Sequence, residues 1–297
     1  MDVFRGRFGV WVAPATLLEA SAAVQREQFA RVERLGYTSL WSGEPPAASG
    51  AGGREVFAQH ALMLAATERL TVGTGIANVS MRDPVAMHGG AATLAEAYPD
   101  RFVLGLGGAS GDRPLTALRD YLDAMDAASR RILPGVPYPR VLAALGPKAH
   151  RLARERAHGV HPFLQPVEHT ATARAALGPD ALLIPHQAVV LETEPDAARA
   201  RLRALFGAGW AHDNPYTRNF RRLGYTDDDL KGGPSDRLVD DVLAWGDETA
   251  VAGRLRAHLD AGADHVLVHP FAPDLVSAVD QLERLAPAIL EAVTATG

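Results

Sequence analysis

Residues 7–41, RFGVWVAPATLLEASAAVQREQFARVERLGYTSLW, contain one complete β-α-β unit, and this unit decides the fold. Two short runs of apolar and aromatic residues, at 7–12 and 37–41, are typical of buried strands. Between them, residues 17–35 carry apolar side chains at helical spacing, and Gly36 stands where a C-cap would end the helix. A strand, a helix and a second strand in this order predict a parallel α/β sheet.

The same unit recurs along the chain. Runs typical of strands lie at residues 7–12, 37–41, 69–76, 101–107, 140–145, 159–164, 182–191 and 264–270. Helical periodicity is present at residues 17–35, 84–97, 115–128, 148–157, 171–177, 196–206, 248–261 and 275–293. Eight strands alternating with helices over about 250 to 300 residues favour a (β/α)8 TIM barrel over an open doubly wound sheet. We therefore predict a single barrel domain over residues 1–297.

Two stretches are longer than a barrel connection needs, residues 44–55 and 207–234. Each follows a predicted strand, so each is expected at the C-terminal face, where barrel active sites are assembled from loops. We predict that these insert loops form a lid and substrate walls.

The composition excludes several classes of protein. The 297 residues include no cysteine, which removes disulfides, thiolate catalysis, cysteine-ligated zinc and iron–sulfur clusters. Thirty basic residues stand against 35 acidic ones, and a net charge of −5 argues against a nucleic-acid partner. The sequence shows neither a signal-peptide pattern nor an apolar run long enough to span a bilayer, so a cytoplasmic protein without membrane insertion is expected.

Glycines at the end of the fourth predicted strand and inside the third have both structural and functional interpretations. Residues 104–111, LGLGGASG, lack the third glycine of a dinucleotide loop, so Gly107 and Gly108 indicate either a plain turn or a close approach to a ligand. Gly73 and Gly75 in the third strand indicate a bulge, a ligand approach or close packing, of which packing is the default.

Leu145-Gly146-Pro147-Lys148 closes the fifth strand and opens a helix. A simple helix start is one interpretation, because proline suits the first helical position. We favour an anion site, because free N–H groups and the positive helix end attract phosphate, and Lys148 adds a charge.

Other motifs carry little function. His161 and His269 lie near predicted strand ends and could line a pocket, but no metal-binding pattern accompanies the histidines, so no metal site is predicted. Hydrolase elbows and P-loops are absent from the sequence. Schiff-base chemistry is disfavoured because Lys148 opens a helix and Lys231 lies in a long loop. The arginines at 218, 221 and 222 indicate either a solvated helix face or a ligand clamp, of which we favour the solvated face.

In this order, the motifs resemble the luciferase-like monooxygenase superfamily, in its branch of coenzyme F420-dependent oxidoreductases. The resemblance covers nearly the whole chain. It is carried by GYTSLW at 36–41, LTVGTGIANV at 70–79 followed by Asp83-Pro84, YPDRFVLGLG at 98–107, LGPKAHRLARERAHGVHPFL at 145–164, RNFRRLGYTDDDL at 218–230 and residues 236–270.

The resemblance implies a barrel that binds a deazaflavin at its C-terminal mouth and moves a hydride between the ring and a small-molecule substrate. In this superfamily a non-prolyl cis peptide in the third strand presses on the ring, and Gly75–Ile76 is the matching position. The cofactor-binding residues implied in this way are Trp41, Gly75, Ile76, Asn78, Gly107, Gly108, Leu145, Gly146, Pro147, Lys148 and His161.

The chain departs from better-known members at two positions. Glu44-Pro45 replaces an Asp-His pair after the second strand, and Ser110 replaces a glutamate after the fourth. Glu44 and Ser110 are therefore the catalytic candidates. A serine hydroxyl cannot supply a proton near neutral pH as a tuned carboxyl can, so sugar-phosphate dehydrogenase chemistry is not expected.

Two further hypotheses stay open on the same fold. One is an FMN-dependent monooxygenase that activates oxygen. The other is a catalytically inactive barrel that serves as a binding protein, which the missing histidine and glutamate make conceivable. Relatives commonly pair, so a homodimer is possible.

Overall fold

The computed structural model describes residues 4–45, 53–206 and 213–294. Its strands are short and all their pairings are parallel. They are β1 (Phe8–Val12), β2 (Ser39–Ser42), β3 (Thr71–Thr74), β4 (Ala77–Asn78), β5 (Phe102–Gly107), β6 (Arg140–Leu142), β7 (Gly159–Val160), β8 (Leu182–Leu183), β9 (His186–Leu191), β10 (Leu243–Gly246) and β11 (Val266–Pro270). Each predicted strand run overlaps at least one of them. The predicted α/β architecture with parallel strands is confirmed.

The sheet curls because residues 182–191, which contain β8 and β9, hydrogen-bond to β7 on one side and to β11 on the other. Its strand order is β10-β9-β11-β1-β2-β3-β5-β6-β7-β8, with β4 on β5. Within residues 182–191, Ile184 N donates to Val160 O, next to β7. On the other side of the segment, Leu267 N of β11 donates to Pro185 O. Strand β10 pairs with the end of β9 and is absent from the sequence prediction.

Helices cover the outside of the sheet. They are α1 (Pro14–Glu19), α2 (Ala22–Arg34), α3 (Val56–Ala65), α4 (Pro84–Ala97), α5 (Pro114–Ser129), α6 (Pro147–Arg156), α7 (Val167–Leu177), α8 (Pro195–Phe206), α9 (Pro215–Arg222), α10 (Asp236–Val242), α11 (Glu248–Asp260) and α12 (Leu275–Thr294), with a 3-10 helix at Asp227–Asp229.

The helix predicted at 17–35 is two helices. Ser21 breaks it, because its hydroxyl accepts from Val24 N as an N-cap instead of continuing the turn. The carbonyls of Leu17 and Ala20 at the end of α1 are then satisfied by the side chain of Gln25 and by Arg54. The single-helix prediction was therefore wrong at this position.

Helix α3 was not predicted. Its buried face includes Gln59 and His60 beside Met63 and Leu64, so polar residues obscure the apolar periodicity. The His60 ring lies between the Val56 and Gly73 carbonyls, each within hydrogen-bond distance of one ring nitrogen, and its single N–H can donate to one of them inside the core.

Both predicted insert loops are only partly described. Residues 46–52 and 207–212 lie outside the described residues. Half of the described part of the second stretch is helical: Asn214 caps α9 with a capping box, and Phe220 is buried in a hydrophobic cluster. The second stretch therefore contains helical segments that the sequence analysis did not predict, and its role as an insert at the site stays a prediction.

The strands are largely buried on both faces because helices cover the outer face and side chains of the curled sheet pack against one another on the inner face. Alternate residues point inward, and the inner cluster contains Phe4, Trp11, Trp41, Val103, Val141, Ile184 and Leu267. A Cβ on Gly73 would overlap the indole of Trp41, so this glycine makes room for the ring. The default interpretation of close packing holds at Gly73.

Candidate functional site

The peptide bond between Gly75 and Ile76 is cis, at the C-terminal end of β3. Trp11 Nε1 donates to Gly75 O at 2.8 Å, and Glu44 N donates to Ile76 O at 3.0 Å. Gly43 lies against the same peptide, because a Cβ there would be 2.5 Å from Gly75 O. The position that the resemblance marked therefore has the expected peptide geometry, held by the ends of β1 and β2.

Three neighbouring residues without polar side chains form a surface beside this peptide, which we call the platform: Ile76, Gly107 and Ala143. A Cβ on Gly107 would lie 2.7 Å from Ile76 Cδ1 and 2.8 Å from Ala143 Cβ. Ala143 is exposed and Ile76 is half-buried, although the preceding residues of their strands are buried. The platform is therefore open on one side, at the carboxyl ends of β3, β5 and β6.

Glu44 is held in a buried ion pair beside the platform. Its carboxylate accepts from Arg82 at 2.6 and 2.7 Å and from Asn78 N at 2.8 Å. The side chains of Glu44 and Arg82 are 4% and 12% exposed. This carboxylate ties the end of β2 to β4 and the segment before α4, so the geometry favours a positioning role over the predicted catalytic one.

Ser110, the other catalytic candidate, is exposed and makes no hydrogen bond with any described residue. It follows the carboxyl end of β5, two residues after Gly108, whose φ is 82°. A Cβ on Gly108 would overlap Asn78 Oδ1, so the glycine permits the close approach of the two strand ends. Asn78 itself is buried, and its Oδ1 accepts from the amide and hydroxyl of Ser80.

Trp41, predicted to contact a cofactor, lies in the inner cluster instead. It is fully buried, and its Nε1 donates to Ser39 Oγ. We call the open region at the carboxyl ends of the strands the mouth. The Trp41 indole packs beneath this region and is not exposed on its surface.

His161 lies directly beneath the cis peptide. Its Nδ1 lies 2.8 Å from Ile184 O, and because a carbonyl only accepts, Nδ1 carries the proton. Nε2 is then an acceptor that has no partner among the described residues, and a Cβ on Gly75 would lie 3.0 Å from it. Burial lowers the pKa of His161 to about 4, so the ring is neutral near pH 7.

The predicted anion site lies at the N-terminus of α6. Gly146 is the N-cap and supplies no side-chain cap, and Pro147 is the first helical residue. Arg222 of α9 lies over this end, since a Cβ on Gly146 would be 2.6 Å from its Nη2. Arg222 donates to Asn219 Oδ1, and neither Arg222 nor Lys148 has an acidic partner within the described part of the chain. Two unpaired cations and a helix N-terminus make this the electropositive end of the mouth.

The three arginines of α9 differ in their surroundings. Arg218 pairs with Asp213, and Arg221 pairs with Asp213 and Asp227, as expected for a solvated face. Only tertiary packing distinguishes Arg222, because nothing in the local sequence separates it from its neighbours.

A basic cleft of about 230 Å³ has Lys148 in its lining. It is lined by Leu115, Thr116, Arg119, Lys148, Arg151 and Leu152. Arg119 forms an exposed pair with Glu155 at 2.6 Å, which leaves the other two cations in excess. The cleft therefore extends the electropositive end along α5 and α6.

A second cavity, of about 330 Å³, lies at the opposite end of the strands, between Phe8 and Tyr37 and the helix end near Ile289. We do not assign the reaction to it, because ligands of parallel α/β folds bind at the carboxyl ends of the strands. Among the described residues, no group of three or more His, Cys, Asp or Glu is arranged to hold a metal ion. None of the helices in residues 4–45, 53–206 and 213–294 has the length and apolarity of a membrane span.

Comparisons with known proteins agree with this geometry. The family model described as "Luciferase-like monooxygenase" matches residues 6–265. No curated protein matches the chain significantly.

Solved structures of low identity share the fold. An F420-dependent secondary alcohol dehydrogenase in complex with an F420–acetone adduct is 17% identical, with a TM-score of 0.69 over 95% of this chain and 98% of that one. The coenzyme F420-dependent tetrahydromethanopterin reductase from Methanopyrus kandleri is 16% identical, with a TM-score of 0.72 over 96% and 98%. The FMN complex of the oxygenating constituent of 3,6-diketocamphane monooxygenase from Pseudomonas putida is 13% identical, with a TM-score of 0.69 over 96% and 99%.

Proposed function

Because the chain belongs to the luciferase-like monooxygenase family, we propose that it is an oxidoreductase that binds coenzyme F420 at the mouth. The bound deazaflavin would supply hydride transfer with a small organic substrate. The observation that carries this proposal is the electropositive end at Gly146, Lys148 and Arg222, beside an open platform without long side chains. A flat ring that bears a phosphate fits both parts.

The proposal includes a closed eight-stranded barrel as the frame of the site. Its support is the segment at 182–191, which hydrogen-bonds toward β7 and toward β11. In such a frame β10 is an addition outside the ring of eight strands. The single domain over 1–297, the homodimer and the cytoplasmic location stay predictions.

The chain's own residues would divide the work of binding. The free N–H groups at the start of α6, with Lys148 and Arg222, would hold the phosphate. Ile76, Gly107 and Ala143 would lie against the ring, while Trp11 and the Glu44–Arg82 pair keep the strand ends in place. His161 would support the cis peptide from the inner side, where its Nε2 is enclosed.

The basic cleft favours F420 over FMN. F420 continues beyond its phosphate through a chain of glutamates, whereas FMN ends at the phosphate. Lys148 of the electropositive end also lines this cleft, and the excess charge of Lys148 and Arg151 complements a polycarboxylate. FMN would leave this cleft unused.

Binding measurements test the proposal. Fluorescence titration of the purified protein with F420, with its phosphate-free and tail-free deazaflavin precursor, and with FMN should give tightest binding for F420. Arg222→Gln should weaken F420 binding by about 10- to 100-fold, the loss expected for a charge-assisted contact of ~1.5–3 kcal/mol. The precursor should bind both proteins equally.

Arg218→Gln is the matched control, because it removes a cation from the same helix whose partner is Asp213. It should leave F420 binding unchanged. Tighter binding of FMN would replace our proposal with the flavin monooxygenase. Binding of either cofactor without turnover of any carbonyl or enone substrate would favour the inactive binding protein.

A further inference from the structure

His186 and His269 form a hydrogen-bonded pair that the proposed function leaves unused. His186 begins β9 and His269 lies near the end of β11, on neighbouring strands. His186 Nε2 lies 2.8 Å from His269 Nδ1. The Trp11 ring, whose Nε1 donates to Gly75 O, packs against His269 with centroids 4.5 Å apart. The pair therefore borders the same mouth as the platform.

The partners of the pair fix both tautomers. Leu164 N donates to His186 Nδ1 at 3.3 Å, and since a backbone N–H only donates, Nδ1 carries no proton. Neutral His186 then carries its proton on Nε2 and donates to His269 Nδ1. His269 in turn must carry its proton on Nε2. Burial keeps both rings neutral, lowering the pKa of His269 to about 3 and that of His186 well below its usual value.

The Nε2–H of His269 faces an opening. No described residue accepts from it, and unlike His161 Nε2 it is not among the fully enclosed polar atoms. His269 is 7% exposed, whereas His186 is 1% exposed. The rings of Trp11 and Phe271 both pack against His269, with centroids 4.5 and 4.9 Å from that of the imidazole. The result is a single outward hydrogen-bond donor between aromatic walls.

We propose that His269 donates this Nε2–H to the carbonyl oxygen of an uncharged substrate, with His186 as the positioning residue that fixes the donor. Among the described residues His269 makes no ion pair, its hydrogen-bond partner is the neutral His186, and it is largely buried, so a carboxylate here would be desolvated without a counter-charge. The aromatic walls suit an apolar ketone or aldehyde. The proposal rests on the proposed function for the presence of such a substrate at this mouth.

The pair orients and polarises the oxygen, and it does not deliver a proton to it. A neutral imidazole can polarise a carbonyl by hydrogen bonding. If His269 gave up its Nε2 proton, it would become an imidazolate. If His186 then transferred its own Nε2 proton to His269 Nδ1, His186 would become the imidazolate, and this ring is buried more deeply. The proton added to oxygen in a carbonyl reduction must therefore have another source.

Nuclear magnetic resonance tests the tautomers without any cofactor. Long-range ¹H–¹⁵N correlation spectra of ¹⁵N-histidine-labelled protein at pH 7 should show His269 as the Nε2–H tautomer. His186→Phe should give a mixture of His269 tautomers, and His186→Gln should restore Nε2–H, because an amide N–H can donate to Nδ1. An Nδ1–H tautomer in the native protein overturns the proposal.

Ligand titration tests the donor itself. Cyclohexanone should shift the His269 resonance and bind His269→Phe about 3- to 10-fold more weakly than the native protein, the effect of one net hydrogen bond. Methylenecyclohexane, which has the same shape without oxygen, should bind both proteins alike, and cyclohexanecarboxylate should bind neither. His158→Gln, an exposed histidine away from the mouth, is the control.

Two results would contradict the role of His269 as donor. One is that His269→Phe weakens the binding of cyclohexanone and of methylenecyclohexane equally. The other is that the native protein does not bind cyclohexanone, with or without F420. Failure of the proposed function looks different. In that case F420 does not bind, while the tautomer and the ketone preference of His269 persist.

Discussion

Glycines on the inner face of the strands serve different purposes at successive positions. Gly73 accommodates the Trp41 indole, and Gly75 lies between Trp11 Nε1 and His161 Nε2. Gly107 completes the platform beside Ile76. The sequence shows the same residue type at each position, but the neighbour that excludes a side chain differs.

Gly73→Ala should destabilise the fold. Its Cβ would overlap Trp41, which is fully buried and cannot move aside, so we expect a loss of about 1–3 kcal/mol from overpacking. Urea unfolding should show a lower midpoint with an unchanged slope. Gly89→Ala is the control: it lies within α4 with open space around its Cβ, and should stabilise by about 0.5–1 kcal/mol. Equal stability of the two variants would contradict the packing argument.

At the scale of elements, the Glu44–Arg82 pair joins the end of β2 to the segment between β4 and α4. The carboxylate binds the guanidinium with both oxygens and also accepts from Asn78 N. Tyr121 of α5 donates to Arg82 O, which extends the connection to a further helix. This network holds the strand ends around the cis peptide.

Breaking this pair from one side should cost more than removing both charges. Glu44→Gln leaves Arg82 largely buried with only the exposed Glu55 nearby, so a loss of about 3 kcal/mol is expected. Arg82→Gln should be similarly harmful. The double variant should lose clearly less than the sum, as measured by chemical denaturation.

The exposed pair of Arg119 and Glu155 provides the comparison. Its side chains are 42% and 44% exposed, so Glu155→Gln should cost at most about 1 kcal/mol. Additive losses at Glu44 and Arg82 would show that the two charges are not coupled.

At the scale of the whole molecule, buried neutral histidines connect stability to pH. Burial lowers the pKa of His161, His169 and His265 to about 4, of His258 and His269 to about 3, and of His186 well below its usual value. Unfolding exposes these rings and returns each pKa to about 6.5. Between the two values, the unfolded chain binds more protons than the native protein.

Stability should therefore fall as the pH is lowered from 7 to 5. Each buried histidine contributes up to about 1.4 kcal/mol per pH unit below its unfolded pKa, and the sign is a loss at acid pH. Urea unfolding at pH 7, 6 and 5 measures the slope. Between pH 7.5 and 8.5 the same rings are neutral in both states, so no histidine-linked change is expected there. A stability that is flat from pH 7 to 5 would show that the native rings take up protons.

Local pattern predicted the parallel strands, most helices and the electropositive turn at Gly146, because each depends on residues a few positions apart. The cis peptide position came from the family resemblance. Strand β10 and helix α3 were not predicted. Strand β10 pairs with β9, which lies about 50 residues earlier in the chain, and the buried face of α3 includes polar residues that interrupt its apolar pattern.

The sequence by itself determined an α/β chain of parallel strands with a helix start suited to an anion. Only the tertiary structure decided that Arg222 lies over that helix start and that Glu44 forms an ion pair with Arg82. It also decided that His186 donates to His269 Nδ1 and so keeps the proton of His269 on Nε2. Strand and helix periodicities are local, whereas these three pairings join residues 38 to 83 positions apart along the chain. Their charges and protons depend on neighbours that only the folded chain brings within hydrogen-bond distance.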